Sequence, residues 1–318
     1  MELHDFWFFL ICVLWSGYFV LEGFDFGVGM LIPVLGRSEE DRGTLLGTIG
    51  PVWDGNEVWL VTAAGATFAA FPQWYATMFS GFYIALLLVL VLLIVRVVSF
   101  EWREKVDSER WQGVWTGANV VASYGIPLLW GIALTSLLAG VPVGEDKEFT
   151  GNVFDLFSWY SVLGGVAFMA LFAWHGSVFI TLRTTGAMRE RAHHLSLRLA
   201  PFSVMLTIAF LVATLWTGVD ANDKGLVGGL VIIPLAVAAL LVAWFMAGRR
   251  REGVAFASTC AAIVLAVTLL FVELFPRVMV SSTDFAWSLT TSNASSSHYT
   301  LVFMTIVALV MTPVVLLY

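Results

Sequence analysis

The sequence predicts an all-α polytopic membrane protein, and three observations carry that prediction. Apolar stretches of about 20 residues, enough to cross about 30 Å of hydrocarbon, recur nine times along the chain. Only 12% of the 318 residues are charged, well below the share in a soluble domain, and mean hydropathy is +0.87. The stretches are also continuous, without the alternation of a membrane barrel, so each reads as a helix that satisfies its own backbone groups.

The first stretch, residues 6 to 33, follows Met-Glu-Leu-His-Asp, which lacks the basic start of a signal peptide, so it is expected to stay as a helix. It ends Glu-Gly-Phe-Asp-Phe-Gly-Val-Gly-Met-Leu over 22–31. The second, 52 to 71, is opened by Gly50-Pro-Val-Trp-Asp-Gly-Asn-Glu-Val-Trp59, in which Pro51 suits a first helical turn. The third, 77 to 99, carries Arg96, and the fourth spans 114 to 140. The fifth, 156 to 182, ends Trp174-His-Gly-Ser-Val-Phe-Ile-Thr-Leu182 before Arg183-Thr-Thr-Gly186. The sixth, seventh and eighth cover 200 to 219, 226 to 247 and 253 to 275, and the ninth covers 299 to 318. The first and fifth stretches both place small residues and an ionisable group at the same end. This faint echo suggests two pseudo-symmetric four-helix bundles, residues 1–140 and 156–275, with the helix at 299–318 peripheral.

Orientation follows from the basic residues, which favour cytoplasmic loops. One set of loops holds Arg37 and Arg42; Arg96, Arg103, Lys105 and Arg110; Arg183, Arg189, Arg191 and Arg198; and Arg249, Arg250 and Arg251. The opposite set holds Lys147, Lys224 and Arg277 among Glu145, Asp146, Glu148, Asp220, Asp223 and Asp284. The amino terminus is therefore expected outside and the carboxy terminus in the cytoplasm. The Ser/Thr-rich segment 276–298 then lies outside, where it is either a cap or a solvated loop. A net charge of -7 with dispersed Lys and Arg excludes a nucleic-acid partner. Cys12 and Cys260 lie in apolar runs and read as small hydrophobes. Thirteen of the tryptophans, Trp7 to Trp287, fall mostly near predicted helix ends, as an interfacial belt requires.

An ionisable group inside an apolar segment costs about 3 kcal/mol or more, so each one needs a reason to be there. Glu22 and Asp25 sit three apart on one face of the first helix, and Asp54 and Glu57 repeat the spacing on the second. With Arg96 and His175 they occupy the cytoplasmic half. A proton-gathering cluster is one reading, because desolvated carboxyls exchange protons near neutral pH. The other reading is structural: Glu22 and Asp25 pair with Arg96 or His175, while Asp54 and Glu57 complement a helix N-terminus. His4, His193, His194 and His298 fall in loops or at helix ends, His193 and His194 in the basic loop being read as solvated, and no Cys-x-x-Cys-His occurs, so haem ligation by this chain is not expected. No metal site is expected either. Glu273, four residues before Arg277, reads as half of an interfacial ion pair.

Gly23-Phe-Asp-Phe-Gly27 followed by Gly50-Pro-Val-Trp-Asp-Gly-Asn-Glu-Val-Trp-Leu60 resembles the signature of cytochrome bd-type quinol oxidase subunit II. His175-Gly176 with Thr184-Thr-Gly186 is similar to that family's fifth helix, and the resemblance spans nearly the whole chain. It implies a bacterial inner-membrane heterodimer in which a related subunit I holds haems b558, b595 and d, oxidises quinol and reduces dioxygen to water. This chain would then bind no haem, pack against subunit I and supply a proton route. Asp25 and Asp54 match the motif acids, with Glu57 beside them, and Trp53 and Asn56 match the same motif and would order it. Glu22 and His175 join the expected pathway from helix spacing and position. The resemblance also admits a bound quinone, surrounding lipid and a small accessory subunit. Buried carboxylates with an internal repeat also suit a proton-coupled secondary transporter, the rival reading, and a purely structural assembly subunit is a third.

Overall fold

A computed structural model describes residues 2–222 and 226–317; Asp223 and Lys224, expected among the outer loop charges, lie outside the described residues. In chain order the helices are α1 (Leu3–Leu35), α2 (Glu39–Ile49), α3 (Trp53–Ala70), α4 (Pro72–Gly81), α5 (Tyr83–Arg103), α6 (Glu109–Ala139), α7 (Trp159–Arg183), α8 (Gly186–Asn222), α9 (Val227–Gly248), α10 (Glu252–Leu274) and α11 (His298–Leu317). Eight of them, all but α2, α3 and α4, are long and apolar enough to cross a membrane. Eight of the nine expected spans thus meet that measure among the described residues, and the remaining one is not confirmed by it. Helix α3 lies where the second span was expected, but Asp54, Asn56 and Glu57 with a Gly-, Ala- and Thr-rich remainder dilute its hydropathy.

Other boundaries differ from the hydropathy reading for local reasons. The sixth stretch is the far part of α8, which starts at Gly186, because a helix continues through polar residues once it leaves the hydrocarbon. The third is broken at Phe82 into α4 and α5. Helix α2 was not expected at all. Its start is nonetheless written in the sequence: Ser38 caps it by accepting from the Asp41 amide at 3.1 Å, and Glu39, Glu40 and Asp41 fill a first turn that favours negative charge.

Helix α1 runs through the middle of the molecule, packed on α3, α6, α7 and α10. Glycine allows the closest of these contacts. A Cβ on Gly27 would lie 2.1 Å from the Phe172 carbonyl oxygen and 2.8 Å from the Gly176 Cα, so α1 and α7 meet backbone to backbone. Gly131 and Gly165 bring α6 against α7 in the same way, with 2.5 Å between the added Cβ and the facing Cα. The tryptophan belt is only partial. Trp7, Trp15, Trp74, Trp130 and Trp174 are buried in the core, while Trp102, Trp159 and Trp216 are exposed near helix ends.

The segment after α10 is a packed cap rather than a solvated loop. Strand β1 (Arg277–Met279) pairs antiparallel with β2 (Leu289–Thr290), and Val278, Met279, Val280 and Leu289 are buried. The Val280 amide donates to the Leu137 carbonyl, Ser296 N–H to that of Ala70, and the Thr291 hydroxyl to Asp5, tying the cap to α6, α3 and α1. At the other, basic end, Glu39 accepts from Arg42 and from the buried Arg103 of α5, and Asp41 accepts from Arg191 of α8 at 2.5 Å. Helix α2 is thereby clasped across the ends of α5 and α8. Helix α11 lies at the periphery, almost wholly exposed, with Trp7 donating to Thr305 at 3.0 Å.

Candidate functional site

The site is built around one cation. Arg96, on α5, is 0% exposed. Such a group is tolerated in the interior only if its charge and donors are met. Its Nη1 lies 3.0 Å from Glu22 Oε2 and 3.2 Å from Glu57 Oε1, and its Nη2 lies 3.8 Å from Asp25 Oδ2. Two helices deliver these acids. Glu22 and Asp25 are one turn apart on α1, facing α3 and α5, and Glu57 comes from the first two turns of α3. The guanidinium plane also sits over Phe26 at 4.7 Å and Phe100 at 5.3 Å, contacts that suit a weakly hydrated cation.

The residues between these charges hold them in place. Asn56 donates through Nδ2 to Asp25 Oδ2 at 2.9 Å, so the amide joins α3 to α1 at the acid itself. Trp53 packs on Phe100, ring centroids 5.6 Å apart, and Phe100 backs Arg96. On α5, Ser99 donates to the Arg96 carbonyl at 2.5 Å and accepts from Asn119 of α6 at 2.9 Å, which ties the arginine's turn to α6. Several polar atoms remain without a hydrogen-bond partner among the described residues: Glu22 Oε1, Asp25 Oδ1, Arg96 Nε and Nη2, and the hydroxyl of Tyr18. Three carboxyls thus share one guanidinium, and the two fully buried ones each retain an unused oxygen, the composition of a group that can take up and pass on protons.

Not every expected residue is brought to this centre. Glu22, Asp25, Glu57 and Asn56 are. Asp54 is exposed in the first turn of α3, one turn from Glu57, on the approach to the cluster and at the positive end of that helix. His175 is buried elsewhere, and its expected place beside the acids is corrected. Its Nε2 donates to the Val20 carbonyl at 3.1 Å, Nδ1 pairs with Thr259 Oγ1 at 2.7 Å, and the ring stacks on Phe256 at 4.7 Å. The imidazole therefore joins α1, α7 and α10, with both nitrogens occupied. Glu273 is buried, 4% exposed, against Gly218 and Gly228, away from this centre. His193 is buried and His194 exposed, because α8 is already helical there and adjacent residues face apart. Sequence reasoning named Arg96 without seeing that it is the hub.

Among the described residues no three His, Cys, Asp or Glu side chains are grouped to hold a metal ion. Both ring nitrogens of His175 are occupied, by Thr259 and by the Val20 carbonyl. Outside the membrane-spanning helices, Asp41 pays a desolvation cost that pushes its carboxyl up, but the Arg191 guanidinium and the Arg37 amide outweigh it and hold the carboxyl below the usual range.

Comparison with known proteins then places the chain. Residues 3–318 match the family model described as cytochrome bd terminal oxidase subunit II. Cytochrome bd ubiquinol oxidase subunit 2 of Bacillus subtilis is 44% identical over 320 residues, covering 99% of this chain and 93% of the relative. Cytochrome bd-I ubiquinol oxidase subunit 2 of Escherichia coli is 36% identical over 349 residues, covering 98% and 91%. A chain of the bd oxidase from Geobacillus thermodenitrificans superposes with a TM-score of 0.72 over 100% of this chain and 98% of that one; at 18% identity it speaks for the fold alone.

Proposed function

The chain belongs to the cytochrome bd terminal oxidase subunit II family, and from that premise we propose that it supplies protons to a haem-bearing subunit I while supporting that subunit in the membrane. It is a multi-pass membrane subunit of a quinol:oxygen oxidoreductase. The transporter reading is not favoured, since the relatives are oxidase subunits over nearly their full length. Haems b558, b595 and d and the quinol-oxidising site are assigned to the partner on the family resemblance. A bound quinone, lipid and a small accessory subunit are compatible partners that rest on the family resemblance.

One observation carries the proton-supply reading: three carboxyls converge on a single buried guanidinium, with Asp54 exposed one turn away. In the proposed route Asp54 collects a proton from the cytoplasm, the side on which the excess of Lys and Arg in the adjoining loops is expected. Glu57 receives it, and Asp25 and Glu22 share it around Arg96. Trp53 and Asn56 hold the geometry, and His175 serves packing. Protons drawn from the cytoplasm while quinol protons leave outside would charge the membrane without a pump. The two four-helix halves, 1–140 and 156–275, with 299–318 outside them, are the proposed division of the chain.

The test replaces Asp25 with Asn and Glu22 with Gln in the assembled oxidase and follows oxygen consumption per haem. Turnover is expected to fall at least about tenfold, within the range of a positioned proton donor, with the haem spectrum intact. Normal turnover per haem in both variants would remove the proton route. Loss of haem with unchanged turnover in what remains would leave a structural subunit.

A further inference from the structure

Helix α9 carries no charged residue from Val227 to Gly248, and Arg249 follows at once. That places the guanidinium where hydrocarbon gives way to headgroups. Between α8 and α9 lies a largely apolar groove of about 460 Å³, lined by Leu197, Leu241, Trp244, Phe245, Gly248 and Arg249 itself. Gly248 helps to keep it open, since a Cβ there would meet only the Leu197 side chain, at 4.0 Å. The Arg249 guanidinium lies over the Phe245 ring, 4.7 Å from its centroid, which holds the cation at the head of the groove. The acids of α8 and α10 at this end are already committed. Glu190 accepts two bonds from Arg250, at 2.6 and 2.8 Å, and Glu252 accepts from Arg189 at 2.8 Å. Arg198, Arg249 and Arg251 are exposed and make no ion pair among the described residues. Orientation in the membrane would account for arginines anywhere in this loop, but not for one held on an aromatic ring above an apolar groove.

We propose that this groove binds one phospholipid with an anionic headgroup, its phosphate taken by Arg249 and one acyl chain laid along Leu197, Leu241 and Trp244. A guanidinium offers a phosphate two parallel N–H donors, so the contact is directional as well as charged. Arg198 and Arg251 add attraction for a headgroup of net negative charge over a zwitterionic one. A soluble phosphate ester could satisfy the arginine but not the apolar walls below it, which commits the site to a lipid. The site belongs to α8 and α9, apart from the carboxylate cluster of α1, α3 and α5, and does not depend on the proton-supply reading.

The experiment strips the purified two-subunit oxidase of lipid in detergent, titrates it with dioleoyl phosphatidylglycerol or dioleoyl phosphatidylcholine, and reads lipid binding by native mass spectrometry. The parent is expected to bind phosphatidylglycerol at least about fivefold more tightly than phosphatidylcholine, the attraction of a single basic residue near a headgroup. Arg249→Gln should bring the two lipids within about twofold of each other. That variant changes only an exposed side chain, so folding stays out of the comparison. Gly248→Phe, which fills the groove and keeps the charge, should weaken both lipids. Arg37→Gln removes an exposed arginine between α1 and α2 at the same end and should leave the preference unchanged. A loss in Arg37→Gln as large as in Arg249→Gln would assign the preference to general surface charge and overturn the site. Equal binding of the two lipids by the parent, or an unaltered preference in Arg249→Gln, would overturn it too. Displacement of phosphatidylglycerol by glycerol phosphate at equal concentration would make this a plain phosphate site and overturn the lipid assignment.

Discussion

Replacing Arg96 with Met should be among the most destabilising single changes available in this chain. Arg96 is 0% exposed and, among the described residues, is the one cation facing Glu22, Asp25 and Glu57, at 3.0, 3.8 and 3.2 Å. Methionine fills much of the volume, so the loss is electrostatic. Removing one partner of a buried ion pair costs about 3–5 kcal/mol because it strands the opposite charge. Here three acids lose the same partner, two of them fully buried, which argues for the upper end of that range. The assay is thermal unfolding of the purified complex in detergent, followed by haem release. A cost of that size corresponds to a drop on the order of 10 °C. The reasoning makes a second, sharper demand. Adding Glu22→Gln to Arg96→Met should recover a substantial part of the loss, since the penalty lies in uncompensated charge. A drop worth less than about 1 kcal/mol, or a double variant no more stable than Arg96→Met alone, would refute the hub.

Four further outcomes follow from the geometry. Asp54→Asn, at an exposed first turn, should change stability by less than about 1 kcal/mol while lowering turnover per haem, and unfolding run beside oxygen consumption separates the two effects. Gly27→Ala forces a Cβ to 2.1 Å from the Phe172 carbonyl oxygen and should cost about 1–3 kcal/mol by prising α1 from α7; Gly113→Ala, in α6 with nothing within 4 Å, should stabilise by about 0.5–1 kcal/mol, both read by thermal unfolding. Asp41 is held below the usual carboxylate range, so its contribution is present above the unfolded value, about 3.9, and is lost as pH falls through the lower folded value. Limited proteolysis of the α2 segment should rise across that acid window in the parent and lose its pH dependence in Asp41→Asn.

The part of the site that could be read from the chain is the part written within single helices. Glu22 with Asp25 and Asp54 with Glu57 each share a face by their spacing of three, and their cost in apolar surroundings marked them before any neighbour was known. Asp54 shows where that logic stops. Its spacing from Glu57 is the same as that of Glu22 from Asp25, yet it is exposed, because α3 begins at Trp53 and its first turn leaves the packed interior. His175 lies at the same depth as the acids by position along its helix, but α7 turns it towards α10 and Thr259. The early start of α8 escaped notice because hydropathy reports the medium a segment prefers, and α2 because its capping signal is short and polar.

Composition and the placement of charge were enough, by themselves, to make this a membrane-embedded helical bundle with costly acids at its basic end, since solvent preference and within-helix spacing are properties of the local chain. The choice of Arg96 as the common partner of three acids, the exclusion of His175, the exposure of Asp54 and the folding of 276–298 into a cap were decided by tertiary structure alone. A residue's spacing sets its direction about its own helix axis. Which neighbour it meets depends on how glycine pairs such as Gly27 with Gly176 let the helices approach, and that approach belongs to no single segment.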